Sequence, residues 1–139
     1  MIRYVVDASA IGPLMFEDEA EDAIPMLSDA LTLGECIVPV HWRFEVANQL
    51  LSGVRRKRVA PAHAEAILTD LAEFPVEFDL ASIERAWSQS HALASRHGLT
   101  LYDAAYLELA ERLGLALISL DKKLLRAAAN DQVVTITKP

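Results

Sequence analysis

The chain has 139 residues, a net charge of −7 and a 53% share of hydrophobic residues. This length suits one domain that buries about two-thirds of the surface of its unfolded chain, and the composition excludes intrinsic disorder. No apolar run approaches the roughly 20 residues of a membrane helix, Asp7 comes too early for a signal peptide, and one cysteine, Cys36, cannot form an internal disulfide. We therefore expect a single cytoplasmic domain over residues 1–139.

Short apolar runs alternate with longer segments of helical periodicity along the chain. In chain order, the patterns predict a strand over 4–6, a helix over 17–33, a strand over 36–38, helices over 42–54 and 61–73, a strand over 76–78, helices over 82–97 and 101–113, a strand over 115–119, a short helix near 122–129 and a strand over 133–136. Five strands interleaved with helices indicate a three-layer α/β domain with a mainly parallel five-stranded sheet.

Local signals refine several of these helices. Pro25 should kink the first helix or delay its start, and Pro61 suits the first turn of another. Ser82 is predicted as an N-cap and Gly98 as a left-handed terminator. Helix 101–113 is apolar on most sides and should be central. The periodicity assigns the following side chains to the core: Ala20, Ile24, Leu27, Leu31, Phe44, Ala47, Leu51, Val54, Ala64, Ile67, Leu68, Leu71, Ile83, Ala86, Trp87 and Ala94.

Four acidic residues are predicted to lie at one edge of this sheet, where the strands end. Asp7 directly follows the first strand, and Asp121 follows the fourth. Crossover helices run antiparallel to the strands, so Glu45 and Asp103, in the first turns of two helices, belong to the same edge. Because ligands of open α/β sheets bind at this edge, the four carboxylates form the candidate site.

Each acid also has a purely structural interpretation. Thr100 and Asp103 fit a capping box. Asp7 and Asp121 suit helix N-caps, and Glu45 is a favourable charge at a helix N-terminus. For any one acid alone this interpretation is at least as good, and only the convergence of all four favours a site.

Electrostatic repulsion determines what such a cluster needs. At about 4 Å and an effective dielectric constant near 20, each pair of like charges repels by roughly 4 kcal/mol. The cluster must be partly protonated, recruit basic side chains or bind a multivalent cation. Carboxylate oxygens without cysteine or histidine suit Mg²⁺ or Mn²⁺ rather than zinc.

Four segments, in order, resemble the motifs of PIN-domain nucleases and, among them, of VapC-type ribonuclease toxins. They read V-V-D-A-S at 5–9, W-R-F-E-V-A-N at 42–48, L-T-L-Y-D-A-A-Y-L-E-L-A at 99–110 and I-S-L-D-K-K-L at 118–124. The first segment alone is weak, the Y-D-A-A-Y block is fairly specific, and all four in register cover essentially the whole chain. Ser119 departs from the threonine of many relatives but keeps the hydroxyl.

The resemblance implies a PIN-like fold, endonucleolytic cleavage of RNA that depends on Mg²⁺ or Mn²⁺, and a cognate VapB-type antitoxin that blocks the site. It makes Asp7 and Asp103 the core metal ligands. Glu45 would complete the metal site, and Asp121 would act directly or through a water molecule.

Further roles follow for residues around these ligands. Ser9 and Ser119 would orient the carboxylates by hydrogen bonds. Asn48, beyond Glu45 on its helix, either faces the site or has a plain structural role. A small chain this apolar also suggests exposed apolar surface near helices 17–33 and 61–73, suited to the antitoxin and to a homodimer.

The charge distribution bears on RNA binding. Five acids lie in E-D-E-A-E-D at 17–22, which we interpret as a solvated helix face. Without these five and the four candidate ligands, 11 of the 20 acids remain against 13 lysines and arginines. Arg55 and Arg56 in R-R-K-R at 55–58, together with Lys122 and Lys123, are the predicted contacts to RNA phosphates. The rival interpretation is that these arginines cover a helix or meet an acidic segment of the antitoxin.

Other classes stay open from the residues alone. A phosphatase of the haloacid dehalogenase type needs a second aspartate two residues after the first, where this chain has Ser9. A receiver domain could use Asp79 but lacks a paired acid after the first strand. A PIN-like binding module without activity is the alternative from another class, and the presence of all four acids argues against it.

Overall fold

The structure, a computed structural model, describes residues 2–138. Five short parallel strands form one sheet in the order β3-β2-β1-β4-β5. They are β1 (Tyr4–Val6), β2 (Cys36–Pro39), β3 (Glu77–Asp79), β4 (Ala116–Ile118) and β5 (Thr135–Ile136). The predicted α/β class is confirmed. The sheet was predicted to be mainly parallel, and all of its strand pairs are parallel.

The strand order reverses between β1 and β4. After β1 the chain adds β2 and β3 on one side, then returns to place β4 and β5 on the other side. The two strands at the reversal are in register from Tyr4 opposite Ala116 to Val6 opposite Ile118. The loops leaving such neighbouring strands diverge to opposite faces of the sheet, so a crevice opens at their carboxyl ends.

Eight helices cover the sheet in the described residues. They are α1 (Gly12–Met15), α2 (Leu27–Thr32), α3 (Trp42–Arg55), α4 (Pro61–Ala72), α5 (Ser82–Arg85), α6 (Gln89–His97), α7 (Leu101–Leu113) and α8 (Lys122–Asn130). Short 3-10 helices follow β1 and α1, over Ala8–Ile11 and Glu17–Asp22. None of the helices within residues 2–138 has the length and apolar character needed to cross a membrane.

The central position predicted for helix 101–113 is confirmed. Every residue of α7 from Ala104 to Ala110 is buried, including one charge, Glu108. Arg112, one turn later, pairs with Glu108 at 2.9 Å and also binds Asp79 at the end of β3. A buried carboxylate needs such a partner, so the ion pair keeps α7 locked beside the sheet.

Two predicted helices are wrong in extent. Segment 17–33 is a 3-10 helix, an irregular stretch and then α2, which begins only at Leu27, two residues after Pro25. Segment 82–97 breaks at Ser88, whose φ and ψ of −129° and −100° are not helical. Gly98 does terminate α6 in the left-handed region, with φ of 63°.

Ser82 is not an N-cap, because Ala81 occupies that position. The Ser82 hydroxyl donates to the Asp79 carbonyl at 2.6 Å and accepts from the Val40 amide at 3.2 Å. The side chain therefore joins the ends of two strands instead of starting a helix.

Several side chains assigned to the core are exposed. Phe44 is 81% exposed and Trp87 is 94% exposed. On α3 the buried face consists of Trp42, Val46, Leu50 and Gly53. This helix carries apolar residues on two faces, and periodicity alone could not show which one meets the sheet. The others placed wrongly are Ala20, Leu51, Leu68 and Ile83.

Candidate active site

The crevice between β1 and β4 is lined by acidic side chains, and Asp7 is the most deeply buried of them. Asp7 directly follows β1, and its amide donates to the Ile118 carbonyl of β4 at 2.9 Å. Only 3% of the residue is exposed. The main chain therefore fixes this carboxylate at the reversal point of the sheet.

Two serine hydroxyls hold one oxygen of this carboxylate. Ser9 Oγ donates to Asp7 Oδ2 at 2.6 Å, and Ser119 Oγ donates to the same oxygen at 2.8 Å. Each hydroxyl in turn accepts a main-chain amide of the loop after β4: Ser9 from Leu120 at 2.9 Å, and Ser119 from Asp121 at 3.0 Å. The supporting contacts expected of Ser9 and Ser119 are thus present in the structure.

Glu45 reaches the crevice from the first turn of α3. The Tyr106 hydroxyl donates to its Oε1 at 2.5 Å, and His41 Nε2 lies 3.3 Å from the same oxygen. His41 Nε2 is also 3.0 Å from the Tyr102 carbonyl. The Glu45 side chain is half-buried, and the Tyr106 hydroxyl from the central helix α7 holds its carboxylate.

Asp103 lies in the first turn of α7, and Asp121 directly precedes α8. The Asp103 amide donates to Thr100 Oγ1 at 3.1 Å, as the capping interpretation predicts. Asp121 Oδ1 accepts the amides of Lys123 and Leu124 at 2.9 and 3.2 Å, so this acid does cap its helix. Asp103 and Asp121 therefore take part in helix capping, and their side chains also line the same cleft as Asp7 and Glu45. The four predicted acids do converge.

Three further side chains in the cleft were not predicted. Glu19 and Asp22, from the 3-10 helix at 17–22, and Gln49 of α3 also line it. Gln49 Nε2 donates to the Ala8 carbonyl at 2.9 Å. Asn48, the α3 residue that was considered, lies instead in a neighbouring pocket. Whether position 48 or position 49 faces the cleft depends on the rotation of α3 about its axis, which the pattern of residues does not determine.

Arg58 holds the acidic 3-10 helix against this cleft. Its Nη2 lies 2.6 Å from Asp18 Oδ1 and 2.6 Å from Glu19 Oε2, and its guanidinium stands 4.0 Å from the centre of the Phe16 ring. A Cβ at Gly12 would come within 2.5 Å of Glu19 Oε1, so glycine there leaves room for this acid. Glu19 and Asp22 of this segment therefore line the cleft, while Glu17, Asp18 and Glu21 are exposed to solvent, as the interpretation as a solvated helix face predicts.

The four predicted RNA-contacting residues are exposed and fall into two separate places. Lys122 and Lys123 begin α8 beside Asp121. Burial raises the pKa of Asp103, and the nearby charge of Lys123 opposes this rise. Arg55 and Arg56 lie at the far end of α3, about 15 Å along the helix from Glu45.

Burial and mutual repulsion weaken the acidity of three of the carboxyl groups. Burial raises the pKa of Asp7 to about 6; the serine hydrogen bonds oppose this rise, and the charges of Asp103 and Glu45 add to it. The pKa values of Glu45 and Asp103 are also raised, first by burial, with repulsion from Asp103 and Asp121 respectively. Burial lowers the pKa of His41, so its imidazole favours the neutral form.

The donor set of the cleft suits a hard divalent cation. All four candidate ligands are carboxylates, and Mg²⁺ and Mn²⁺ prefer such oxygens. In residues 2–138, however, no three acidic, histidine or cysteine side chains stand close enough to form a finished cage.

Comparisons with known proteins identify the family of this five-stranded parallel sheet with acids at its reversal point. Residues 4–130 match the PIN domain family. The chain is 37% identical over 124 residues to Ribonuclease VapC3 of Pyrobaculum aerophilum, an alignment that covers 88% of this chain and 92% of that protein. It is 34% identical over 127 residues to Ribonuclease VapC3 of Mycobacterium tuberculosis, covering 90% and 87%.

Solved structures show the same fold. PAE2754 of Pyrobaculum aerophilum superposes with a TM-score of 0.69 at 27% identity, covering 96% of this chain and 89% of that chain. VapC20 of Mycobacterium tuberculosis, a Sarcin-Ricin loop cleaving toxin, has a TM-score of 0.63 at 16% identity, covering 89% and 94%. The chain belongs to the PIN-domain nucleases and, within them, to the VapC ribonuclease toxins of toxin–antitoxin systems.

Proposed function

We propose that the chain is an endoribonuclease whose cleavage depends on Mg²⁺ or Mn²⁺, with Asp7, Glu45, Asp103 and Asp121 as the metal-binding carboxylates. One observation carries this proposal: Asp7 is a buried carboxyl with a raised pKa in a cleft lined by three more predicted acids. Such an arrangement is unfavourable without a cation, and structural capping gives no reason to bring the four together.

Within the Asp7 carboxylate the two oxygens would have different tasks. Both serine hydroxyls donate to Oδ2, which leaves Oδ1 as the oxygen for a cation. Glu45 would present one oxygen in the same way, because the Tyr106 hydroxyl holds Oε1. A bound divalent ion supplies an activated water and neutralises charge on the phosphate, so the protein needs no covalent nucleophile.

The test is cleavage of total cellular RNA by the purified chain, free of antitoxin, followed by sequencing of the new 5′ ends. We expect discrete ends with Mg²⁺ or Mn²⁺ and none with EDTA. If a folded protein produces no new ends with either metal and calorimetry shows no Mn²⁺ binding, the chain is a binding module and the proposed function is wrong.

The serine contacts give a second expected result. Ser9→Ala or Ser119→Ala should lower metal affinity or activity by about 10- to 100-fold, because the Asp7 carboxylate loses a hydrogen bond that fixes its orientation. Ser119→Thr keeps the hydroxyl and serves as the matched control. Mn²⁺ titration by calorimetry and cleavage rates measure both effects. Equal losses in the alanine and threonine variants would mean that packing, not the hydroxyl, matters.

The basic residues give a third expected result. Replacing Arg55 and Arg56 together by glutamine should weaken RNA binding and reduce its dependence on salt, because each phosphate contact releases counterions. The cut sites should stay the same. Lys122→Gln with Lys123→Gln provides the comparison beside the cleft. A changed cut site with an unchanged salt dependence would contradict a role in phosphate contact.

We also propose a VapB-type antitoxin and a second copy of the chain as partners. An apolar groove between α3 and α4, lined by Trp42, Val46, Leu68 and Leu71 among others, supports a partner with an amphipathic segment. Ile83 and Trp87, exposed at 61% and 94%, support a contact between copies. Sedimentation of the purified chain, with Trp87→Ala as the variant, tests the homodimer. The cytoplasmic location stays a prediction.

A further inference from the structure

A second pocket adjoins the acidic cleft and has a different character. Its walls are His41, Phe44, Glu45, Asn48 and Tyr102. Glu45 lines both this pocket and the acidic cleft, so the two are adjacent. The walls combine the rings of Phe44 and Tyr102 with polar side chains. The metal-binding role proposed for the cleft does not require this combination.

The two rings are exposed and sit directly beside the proposed metal ligands. Phe44, 81% exposed, precedes Glu45 at the start of α3, and Tyr102, 60% exposed, precedes Asp103 at the start of α7. The His41 ring stands edge-on to the Tyr102 ring, with 5.4 Å between ring centres, and hydrogen-bonds to the Tyr102 carbonyl. Tyr102 is therefore held in place on the wall of the pocket.

The chemistry of these walls fits an unpaired nucleobase. Single-stranded RNA is recognised by stacking its bases on aromatic side chains and by hydrogen bonds to their edges. Asn48, whose amide both donates and accepts, can supply the edge contact. The chain carries a net charge of −7, and its cleft is acidic, so without a bound cation backbone phosphates meet repulsion there. Stacking on neutral rings does not suffer this repulsion.

We propose that this pocket is a nucleobase subsite, in which a base of the RNA next to the scissile phosphate stacks on Phe44 and Tyr102 and meets Asn48. The inference rests on the proposed function, because it takes RNA as the substrate and the neighbouring cleft as the place of cleavage. It makes the two rings positioning residues that select the nucleotide beside the cut.

Binding in EDTA tests the subsite separately from cleavage. The probes are a fluorescein-labelled pool of random ten-nucleotide RNA and an abasic ribose-phosphate oligomer of equal length. Phe44→Ala and Tyr102→Ala should each weaken binding of the pool by about tenfold and leave the abasic oligomer unaffected. Leu51→Ala, an exposed change on the same helix as Phe44, should bind both probes like the unaltered chain.

Cleavage provides a second readout. With Mg²⁺ or Mn²⁺, the two alanine variants should raise KM about tenfold at similar kcat and should broaden the set of nucleotides beside the cut. Equal effects on pool and abasic oligomer, or no effect on either, would overturn the subsite. An altered sedimentation coefficient with unchanged RNA binding would assign the rings to contact between copies instead.

The failure of the proposed function is recognisable in the same experiments. If the unaltered chain neither cleaves RNA with metal nor binds Mn²⁺, that proposal is wrong, whereas the binding comparison in EDTA still reports on the pocket. If the unaltered chain cleaves and the alanine variants match Leu51→Ala in binding and cut sites, only the subsite is wrong.

Discussion

Asp103→Asn is expected to lower RNA cleavage by about 10³-fold or more. Asp103 enters the cleft from the first turn of α7, and its pKa is raised by burial and by the charge of Asp121. Removing one ligand charge costs several kcal/mol of stabilisation of the reacting phosphate, and each 1.4 kcal/mol is a factor of ten in rate. Asparagine keeps the shape of the side chain and the amide that Thr100 caps.

The matched control is Asp29→Asn. Asp29 is the third residue of α2, as Asp103 is the third residue of α7, but it is exposed and does not line the cleft. Single-turnover cleavage and calorimetric titration with Mn²⁺ are the measurements. The variant at 103 should lose both cleavage and metal affinity, while the control loses neither. Full cleavage by Asp103→Asn would show that its role is only to start the helix.

Asp7→Asn is expected to abolish cleavage and yet stabilise the metal-free protein above pH 6. The pKa of Asp7 rises from 3.8 in the unfolded chain to about 6 in the folded chain. Between these values the folded state binds more protons, so the free energy of unfolding falls as pH rises. The ionised Asp7 therefore lowers the free energy of unfolding by about 3 kcal/mol above pH 6. This destabilisation is absent below the pKa of Asp7 in the unfolded chain.

Asparagine can retain the local hydrogen bonds, because both serine hydroxyls donate to the single oxygen Oδ2. Urea unfolding in EDTA should therefore show a gain of up to about 3 kcal/mol at pH 7.5 and little difference near pH 4. Glu45 and Asp103 also have raised pKa values, so the stability of the variant should still depend on pH, but less steeply than that of the unaltered chain. A loss of stability of equal size at both pH values would contradict this account.

The sequence was sufficient for those parts of the site that depend on topology. Asp7 and Asp121 follow strands that end at the same edge, and Glu45 and Asp103 start helices that return to it. Once the sheet is known to be parallel, these four positions follow from chain direction alone. The hydroxyls of Ser9 and Ser119 were also placed correctly, since both flank a strand end.

Other parts depend on packing, which periodicity does not report. Phe44 and Trp42 lie two positions apart on α3, and only contact with the sheet determines that Trp42 is buried and Phe44 is exposed. Glu19 of segment 17–22 lines the cleft and is bound there by Arg58, 39 residues away in the chain. No local pattern predicts a contact over that sequence separation.

The four acids at positions 7, 45, 103 and 121 span most of the chain, and the strand that ends before the last of them, β4, is the neighbour of the first strand, β1. During synthesis the crevice therefore cannot close until β4 and the start of α8 have left the ribosome. A chain that stops before residue 120 lacks the two loop amides that donate to Ser9 and Ser119, and it lacks the fourth acid. If the four acids form the site as proposed, we expect incomplete translation products that end before this point to cleave no RNA.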